Sequence, residues 1–509
     1  MKVLLMYRVR DFDPKAALPP NADALTQDLE LDTLCKAMAQ DDAFLLDIAK
    51  KALLLSLDNP EAIAYRQHAL NDVVGHSEVV RRIYTLAVEA IEQRKKIWGW
   101  HFDYPDSVLR SSVETLDLFF DILKRLRRIA DAHGRQFRSE AFVRLFGMIE
   151  KELDDAYLLK IQEHLQELRF PEGERMSAGL GKGFKGEEYA LRRFPLRKRS
   201  WVQRILRKKS KYSFEIDPRD VSGAQALSDL RDQGIRTVAI SLRQSTDHIL
   251  SFFTALRTEL AFYIGCLNLR ELLLRKGEPT CIPVPSVCQS LALSARGLYD
   301  VSLTLKLERR VIGNDLAADG KGLLVITGAN QGGKSTFLRS LGLAYLMTQA
   351  GMFAPAEELS LGVSTGTFTH YKREEDVTMK SGKLDEELGR MSDIVDHIRP
   401  GCVLLCNESF SSTNEGEGSE IGDEVIRALM NSGIRVFMVT HLFELARGFH
   451  RRNAGEALFL RAERKPDGTR TFRMVEGEPL STSYGQDLYK QIFEVAEQTP
   501  TAPPLDVRT

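Results

Sequence analysis

The sequence predicts a multidomain chain in which a mainly α-helical region precedes an α/β domain with a phosphate-binding loop. In the first third of the chain, apolar residues recur at spacings of three and four, as on one face of a helix. From about Ser294, short apolar runs alternate with glycines and helical patterns, which is typical of α/β domains. The segment from Gly328 to Ser335 satisfies the phosphate-loop pattern GxxxxGK(S/T).

Length and charge set the first limits. The 509 residues exceed what one hydrophobic core organises, since domains usually contain roughly 100 to 200 residues. Hydrophobic residues make up 43% and charged residues 28%, and both values are ordinary for globular proteins. The formal net charge of -1 gives no overall attraction to nucleic acid or to a membrane. Any basic binding surface must therefore be local.

Cysteine usage and the N-terminal residues predict a cytoplasmic protein. The six cysteines form no CxxC pair and have no histidines beside them at zinc-ligand spacing, so a reducing compartment is expected. The N-terminal apolar run ends before Arg8, which is too short for a secretory signal. No uninterrupted apolar segment reaches membrane-spanning length, so we expect no membrane association.

Two regions of the chain are predicted to be helical. Residues 1–170 are expected to form a helical core-like domain, and Val113, Leu116, Phe120 and Leu123 share one helix face there. Residues 221–293 are expected to form a helical lever, with a long helix over about 245–275. Its apolar residues repeat at coiled-coil spacing, which favours packing within the chain: Phe253, Leu256, Leu260, Tyr263 and Leu267.

Between these helical regions, residues 171–220 are predicted to form a glycine-rich and basic segment. From Tyr189 to Phe214 it contains ten lysines and arginines and no acid. One interpretation is contact with DNA phosphates, with nearby aromatic residues available to stack on bases. The other is a solvated linker. The candidate DNA contacts are Arg192, Arg193, Arg197, Lys198, Arg199, Arg204, Arg207, Lys208, Lys209 and Lys211.

The phosphate-loop pattern has the expected structural context. An apolar strand candidate over 323–326 precedes it and a helical run follows it. Backbone N–H groups of such a loop surround phosphates at a helix N-terminus. Lys334 is expected to reach the β- and γ-phosphates of ATP, and Ser335 to bind Mg²⁺. The predicted nucleotide-binding residues are Gly328, Ala329, Asn330, Gln331, Gly332, Gly333, Lys334, Ser335 and Thr336.

Two further strand candidates end in polar residues. Residues 403–406 lead into Asn407 and Glu408, and residues 436–439 lead to His441. Ligands of open α/β sheets bind at the carboxyl ends of strands, so these side chains are expected beside Lys334. Glu408 is the candidate catalytic residue that polarises water, His441 a catalytic residue that senses the γ-phosphate. The expected Mg²⁺ ligands are Ser335, Asn407 and Glu408.

Taken together, these segments resemble the ATPase domain of the MutS family of DNA mismatch-repair proteins, a branch of the ABC-type ATPases. The resemblance extends from about Val311 to Phe493. "TGANQGGKSTFLR" is similar to the family's phosphate loop, "GMFAPAEELSLG" to its GxxVPA segment, and "NESFSST" to its DExGxGT segment. "VTHLFEL" is similar to ATHYFEL and "STSYGQDL" to KSYGxxVA. An α/β ATPase domain over 294–495 is therefore expected, followed by a disordered tail over 496–509.

The resemblance also implies partners. In this family two ATPase domains face each other and a serine from each completes the other's site, which implies a homodimer. "MKSGKLDEEL" is similar to the segment that carries this serine, so Ser381 is the candidate trans residue. Ile312 falls at the family's adenine-side position. The resemblance implies ATP and Mg²⁺ as cofactors and DNA as the partner of an ATP-driven clamp.

Departures from the family pattern keep two alternatives open. Asn407 replaces the family's aspartate, which predicts weaker metal binding and slow hydrolysis. Only about twenty residues precede the first helical segment, so a separate mismatch-recognition domain is not expected. One alternative is a nucleotide-gated module that acts on a non-DNA partner such as the ribosome. The other is a nucleotide-stabilised dimer with negligible turnover.

Overall fold

The computed structural model describes residues 1–98, 104–170, 173–192, 216–287, 290–373, 382–452 and 455–480. Over these residues the chain divides into two compact units. Unit 1 comprises Met1–Val3, Glu78–Arg138 and Phe142–Glu259, and unit 2 comprises Leu4–Ser77, Ser139–Ala141 and the described residues from Leu260 onward. The predicted boundary at residue 170 does not coincide with this division.

Unit 1 is mainly helical. Its helices are α5 (Ser77–Trp98), α6 (Pro105–His133), α7 (Glu140–Glu152), α8 (Asp155–Leu168) and the first part of α9 (Val221–Arg275). The predicted apolar face of α6 is buried and packs with residues of α8 and α9 in one core cluster. Antiparallel strands β1 (Met176–Leu180) and β2 (Gly186–Leu191) lie within the segment predicted to be glycine-rich and basic, over residues 171–220.

Helix α9 is longer than the predicted helix over 245–275, because it begins at Val221. The five residues predicted to lie on its apolar face are all buried. By length and composition alone α9 is apolar enough to cross a membrane, with an 18-residue window of mean hydropathy 1.3. However, 67% of that window is buried inside the chain, as in the core helix of a soluble protein. Packing accounts for its apolar character.

Unit 2 contains two sheets and the helices that cover them. Its first helices are α1 (Ala22–Asp28), α2 (Leu31–Ala39), α3 (Ala43–Leu54) and α4 (Pro60–Gly75). A four-stranded sheet has the order β3 (Val284–Ser286), β7 (Glu358–Gly362), β4 (Leu293–Leu298) and β5 (Asn314–Ala317). Because β3 belongs to this sheet, the α/β region begins before the predicted boundary at residue 294.

The larger sheet positions the candidate site. Its order is β12 (Arg470–Glu476), β11 (Ala457–Arg464), β6 (Leu323–Gly328), β10 (Arg435–Val439), β9 (Val403–Asn407) and β8 (Thr367–Tyr371). All pairs are parallel except β11 with β12. The helices between its strands and beside them are α10 (Val301–Lys306), α11 (Lys334–Gln349), α12 (Lys383–His397), α13 (Glu415–Asn431) and α14 (Phe443–Arg452).

The first four helices belong to unit 2 because they bond to its α/β elements. Gln349 lies at the end of α11 and makes two hydrogen bonds to the backbone of Leu57. Its side-chain amide donates to the carbonyl of Leu57 at 2.8 Å, and its backbone carbonyl accepts from the N–H of Leu57 at 2.8 Å. The fully buried Arg66 of α4 donates to the carbonyls of Met6 and Ala350. The apolar strands β6, β9 and β10 form the core beneath these contacts.

The cysteines are structural where the structure describes them. Cys402 and Cys406 are buried in or next to β9, as predicted, and burial raises the pKa of the Cys406 thiol to about 12. The described cysteines are all free thiols. The Cys406 thiol therefore remains protonated at neutral pH and behaves as a small apolar side chain.

Candidate functional site

A glycine-rich turn joins β6 to α11 and forms the centre of the candidate site. Gly328, Gln331 and Gly333 all have positive φ, at 107°, 59° and 88°. A Cβ at Gly332 would lie 2.7 Å from the Cβ of Ala462 and 2.9 Å from the carbonyl oxygen of Ala329. Backbone from β11 therefore closes one side of the turn, and only glycine fits there. This is the geometry of a phosphate-binding loop at a helix N-terminus.

The Lys334 side chain folds back into this loop. It is 7% exposed, and its Nζ donates to the carbonyls of Gly328 and Ala329, both at 3.0 Å. Burial lowers the pKa of the ammonium, while the negative charge of Glu408 raises it and Arg470 lowers it further. A buried cation with such a lowered pKa gains from a nearby anion, so the site favours a phosphate group.

Ser335 connects the loop to the end of β9. Its Oγ donates to Oδ1 of Asn407 at 2.9 Å, so two of the three predicted metal ligands lie in contact. Among the described residues there is no group of three or more His, Cys, Asp or Glu that could hold a metal. The ligands of a divalent cation here would therefore be the neutral oxygens of Ser335 and Asn407, the carboxylate of Glu408 and phosphate oxygens of the substrate. Mg²⁺ prefers such oxygen ligands and is usually bound by few protein groups together with substrate phosphates.

Glu408 and His441 lie beside each other at adjacent strand ends. Glu408 has a φ of 55°, and its N–H donates to the carbonyl of Val439 at 2.8 Å. Its Oε2 lies 4.0 Å from Nδ1 of His441, and both side chains are partly exposed. The structure thus brings Glu408 close enough to Lys334 to act on its pKa, as the strand-end prediction required.

A buried polar cluster under Glu408 was not predicted. The imidazole of His370, on β8, contacts Oγ of Ser409 at 2.7 Å and the carbonyl of Glu387 at 3.0 Å. The carboxylate of Glu387 accepts from the N–H of Phe410, whose φ is 64°. The sequence carried no signal for this cluster, because its members are far apart in the chain and meet only through the order of β8 and β9.

The predicted adenine-side residue lies just before β5. Ile312 is 44% exposed and precedes β5. Asn314 joins β5 to β12, since it accepts from the N–H of Met474 at 2.7 Å and donates to the carbonyl of Phe472 at 3.3 Å. Phe472 has a φ of 60°, and a Cβ at Gly333 would lie 3.6 Å from its ring. Sequence reasoning missed Phe472 because its neighbours form no motif.

Several predicted site residues lie outside the described residues. Ser381 is one of them, and the others are Arg193, Arg197, Lys198, Arg199, Arg204, Arg207, Lys208, Lys209 and Lys211. Of the basic candidates, Arg192 is described. It follows β2, and its Nε donates to Oγ of Ser177 at 2.7 Å.

Two protein-family models match this chain. The model described as "MutS2 N-terminal domain" matches residues 58–276, and the one described as "MutS domain V" matches residues 324–498. The second match covers the phosphate loop and the strand ends that carry Asn407, Glu408 and His441. The two matches together extend over both units.

Curated relatives are similar to this chain over about a quarter to a third of its length. "DNA mismatch repair protein MutS" from Chlorobium chlorochromatii is 33% identical over 144 residues, 28% of this chain and 16% of that protein. "Endonuclease MutS2" from Thermus thermophilus is 30% identical over 133 residues, 26% and 18% of the two chains. "MutS protein homolog 4" from Mus musculus is 28% identical over 161 residues, 32% and 17%. Each match therefore spans less than one fifth of the relative's length.

Proposed function

The chain belongs to the MutS family, and on that premise we propose that it binds and hydrolyses ATP with Mg²⁺ and uses the nucleotide to control binding to DNA. We further propose that it acts as a homodimer in the cytoplasm and that its α/β region is an ATPase domain of the ABC type.

The single observation that carries the proposal is the convergence of three strand ends on one loop. The parallel strands β6, β10 and β9 are neighbours, and each ends at the same edge of the sheet. Lys334, Glu408 and His441 follow these ends, and the Ser335 to Asn407 hydrogen bond ties the loop to β9. A cation, oxygen ligands and a carboxylate thus lie at one edge of the sheet, where ligands of open α/β sheets bind.

Each residue has a role that its position supports. Lys334 would pair with β- and γ-phosphate oxygens, and the N–H groups of the loop would bind the same anion. Mg²⁺, when bound, would neutralise phosphate charge, and Ser335, Asn407 and Glu408 are the residues that would hold it or its water. Glu408 would orient and polarise the attacking water, and His441 would contact the transferred phosphoryl group.

The dimer part of the proposal is supported by the helix that follows the predicted trans residue in the sequence. Ser381 directly precedes Gly382, the residue before α12, and Glu387 of that helix supports the turn after Glu408. A partner serine that enters this side of the site would therefore be coupled to Glu408 through α12. An ATP-dependent dimer of the Glu408→Gln variant, observed by light scattering, would support this arrangement. A Glu408→Gln variant that stays monomeric with saturating ATP would contradict it.

The second candidate function is a nucleotide-gated module that acts on a non-DNA partner such as the ribosome. Asn407 favours it, because the site lacks one carboxylate that would strengthen Mg²⁺ binding and support fast turnover. A slow nucleotide cycle suits a switch that persists in one state.

The test is steady-state ATP hydrolysis with no DNA, homoduplex, mismatched duplex and a four-way junction. The Lys334→Ala variant serves as the blank, because it removes the buried ammonium from the loop. We expect ATP turnover that one DNA form changes and that is absent from the blank. Turnover that is the same with every DNA would support the non-DNA partner, and equal turnover in wild type and blank would remove the ATPase proposal.

A further inference from the structure

Unit 1 contains a basic groove between α5 and α6. The groove has a volume of about 430 Å³ and is open to solvent. Four arginines and one histidine line it, and no carboxylate does among the residues that the structure describes. Its lining residues are Arg81, Arg82, Thr85, Leu86, Arg125, Arg128, Ile129, Ala132 and His133. We call this set the α5–α6 groove.

Two exposed arginines of the α5–α6 groove, Arg82 and Arg128, have no ion pair with an acid among the described residues. Arg125 does have one, with Glu89 at 2.8 Å. Asp131, the closest acid to Arg128 along α6, is paired with Arg127 instead, also at 2.8 Å. Arg125 and Arg128 are three residues apart on α6, and like charges at this spacing repel each other. A bound anion would relieve this repulsion.

A polar atom within the groove also lacks a partner. Nδ1 of His133 is shielded from solvent and has no hydrogen-bond partner among the described residues. The floor beneath it is apolar, because Leu86 and Ile129 are buried there. An anion that entered the groove would therefore meet several N–H donors over an apolar floor. Guanidinium groups bind phosphate in a forked, two-point geometry that suits such a site.

We propose that the α5–α6 groove binds the phosphate backbone of duplex DNA. This inference rests on the proposed function and adds a contact surface that lies outside the basic segment over 192–211. An open groove lined by arginines fits successive phosphates along a strand better than it fits one enclosed small anion. Such contacts position DNA without selecting a sequence.

The test is the salt dependence of binding to a 30-base-pair duplex, measured by fluorescence anisotropy from 50 to 250 mM salt. Arg82→Gln combined with Arg128→Gln removes two positive charges from the groove. Because each phosphate contact contributes about 0.9 to the slope of log affinity against log salt, we expect that slope to fall by about 2. Affinity near 150 mM salt should fall by about tenfold or more.

The matched control is Arg110→Gln combined with Arg236→Gln, two exposed arginines of unit 1 outside the groove. It changes the net charge equally and should keep the slope. Circular dichroism establishes that each variant is folded. If the double variant does not fold, Arg82→Glu alone replaces it and should lower the slope and affinity, while Arg82→Lys should keep both.

The outcomes separate this proposal from the proposed function. If the wild type binds duplex DNA and the groove variant shows the same salt slope, the groove does not contact DNA phosphates. The DNA-binding part of the proposed function would then still stand. No wild-type binding to duplex DNA at 50 mM salt would instead remove the DNA part of the proposed function, and the groove with it. An acidic peptide and unlabelled duplex are also compared as competitors, with each concentration expressed as negative charge. If the peptide displaces the labelled DNA at the lower concentration, DNA is overturned as the ligand and an acidic protein partner is indicated.

Discussion

The carboxylate of Glu387 accepts a hydrogen bond from the backbone N–H of Phe410 at 2.5 Å. Phe410 and Glu408 both have positive φ, at 64° and 55°, in the turn that follows β9. Such a backbone costs free energy for residues with side chains, so it needs support from surrounding groups. Glu387 is 2% exposed on α12 and supplies that support. Glu387 is therefore a positioning residue for the candidate catalytic Glu408.

We predict that Glu387→Ala lowers kcat for ATP hydrolysis about tenfold or more and changes nucleotide affinity little. The turn would lose its buried acceptor, and small errors in the position of a carboxylate are costly in catalysis. Glu387→Gln keeps one acceptor oxygen and should retain most of the activity. The measurements are kcat from steady-state turnover and the Kd of a fluorescent ATP analogue.

Glu386→Ala is the control for this prediction. Glu386 adjoins Glu387 on α12, and its nearest charged partner is Arg390 at 3.9 Å. Its removal should leave kcat unchanged. Normal turnover in Glu387→Ala, or equal losses in Glu387→Ala and Glu387→Gln, would show that the hydrogen bond to Phe410 does not position Glu408.

Asn407→Asp should increase the apparent affinity for Mg²⁺ in ATP hydrolysis. Oδ1 of Asn407 accepts from Oγ of Ser335, so a carboxylate there would face the expected cation directly or through water. We expect the Mg²⁺ concentration for half-maximal turnover to fall several-fold, as a new charge near the cation requires. A Mg²⁺ titration of the hydrolysis rate measures this.

The matched control is Asn414→Asp. Asn414 caps the N-terminus of α13, where its side chain accepts from the N–H of Glu417, and aspartate caps helices equally well. This change adds the same charge at a helix N-terminus, without the contact to Ser335 that residue 407 makes, and should leave the Mg²⁺ titration unchanged. An equal shift in both variants, or none in Asn407→Asp, would contradict a metal role for residue 407.

The parts of the site that local chemistry determines could be predicted from the sequence. The sequence shows glycines that accept positive φ, a lysine at the helix start and three apolar runs with polar ends. These features predicted strands β6, β9 and β10, and the structure has strands at all three positions. Membership of the MutS family followed from the same segments. Periodicity likewise predicted the buried faces of α6 and α9.

The rest depends on contacts between distant segments. Helices α1 to α4 were assigned to the first helical domain, but hydrogen bonds such as those of Gln349 to Leu57 place them in unit 2. The cluster of His370, Ser409 and Glu387 forms because β8 lies beside β9 in the sheet. The residues of a strand do not reveal which strand will be its neighbour. A buried polar contact of this kind leaves no periodic pattern that sequence analysis can detect.

The stability of unit 2 should fall in mild acid because of His370. Burial lowers the pKa of this imidazole from 6.5 to about 4. The unfolded chain therefore binds more protons than the folded chain between these values, so stability is full above pH 6.5 and is lost as pH falls toward 4. By linkage, this one group should cost about 2 kcal/mol between pH 7 and pH 5.

The measurement is urea unfolding of wild type and His370→Gln at both pH values, followed by circular dichroism. The variant lacks the titrating ring, so only the wild type should lose this stability between pH 7 and pH 5. The difference in free energy of unfolding between the two proteins should therefore be about 2 kcal/mol smaller at pH 5 than at pH 7. His397→Gln, which removes an exposed imidazole and its hydrogen bond, is the control for the loss of a histidine side chain. A constant difference between wild type and His370→Gln would refute the assignment.

Arg435 should be a main contributor to the stability of unit 2. It is 5% exposed at the start of β10, and its guanidinium donates to four carbonyls, those of Lys321, Leu291, Ala292 and Ala318. Arg435→Met preserves much of the side-chain volume but removes these hydrogen bonds. Because a hydrogen bond to a charged group contributes about 1.5 to 3 kcal/mol, we expect a loss of about 3 kcal/mol or more.

Urea unfolding at pH 7 measures this loss, and Arg427→Met is the control. Arg427 is half exposed on α13 and pairs with Asp423 one turn earlier, an interaction worth about 0.5 kcal/mol or less. The two variants remove the same charge, so a large loss in Arg435→Met alone would reflect its buried hydrogen bonds. Similar small losses in both would show that water replaces the guanidinium at those carbonyls, and that the start of β10 is more accessible than its burial indicates.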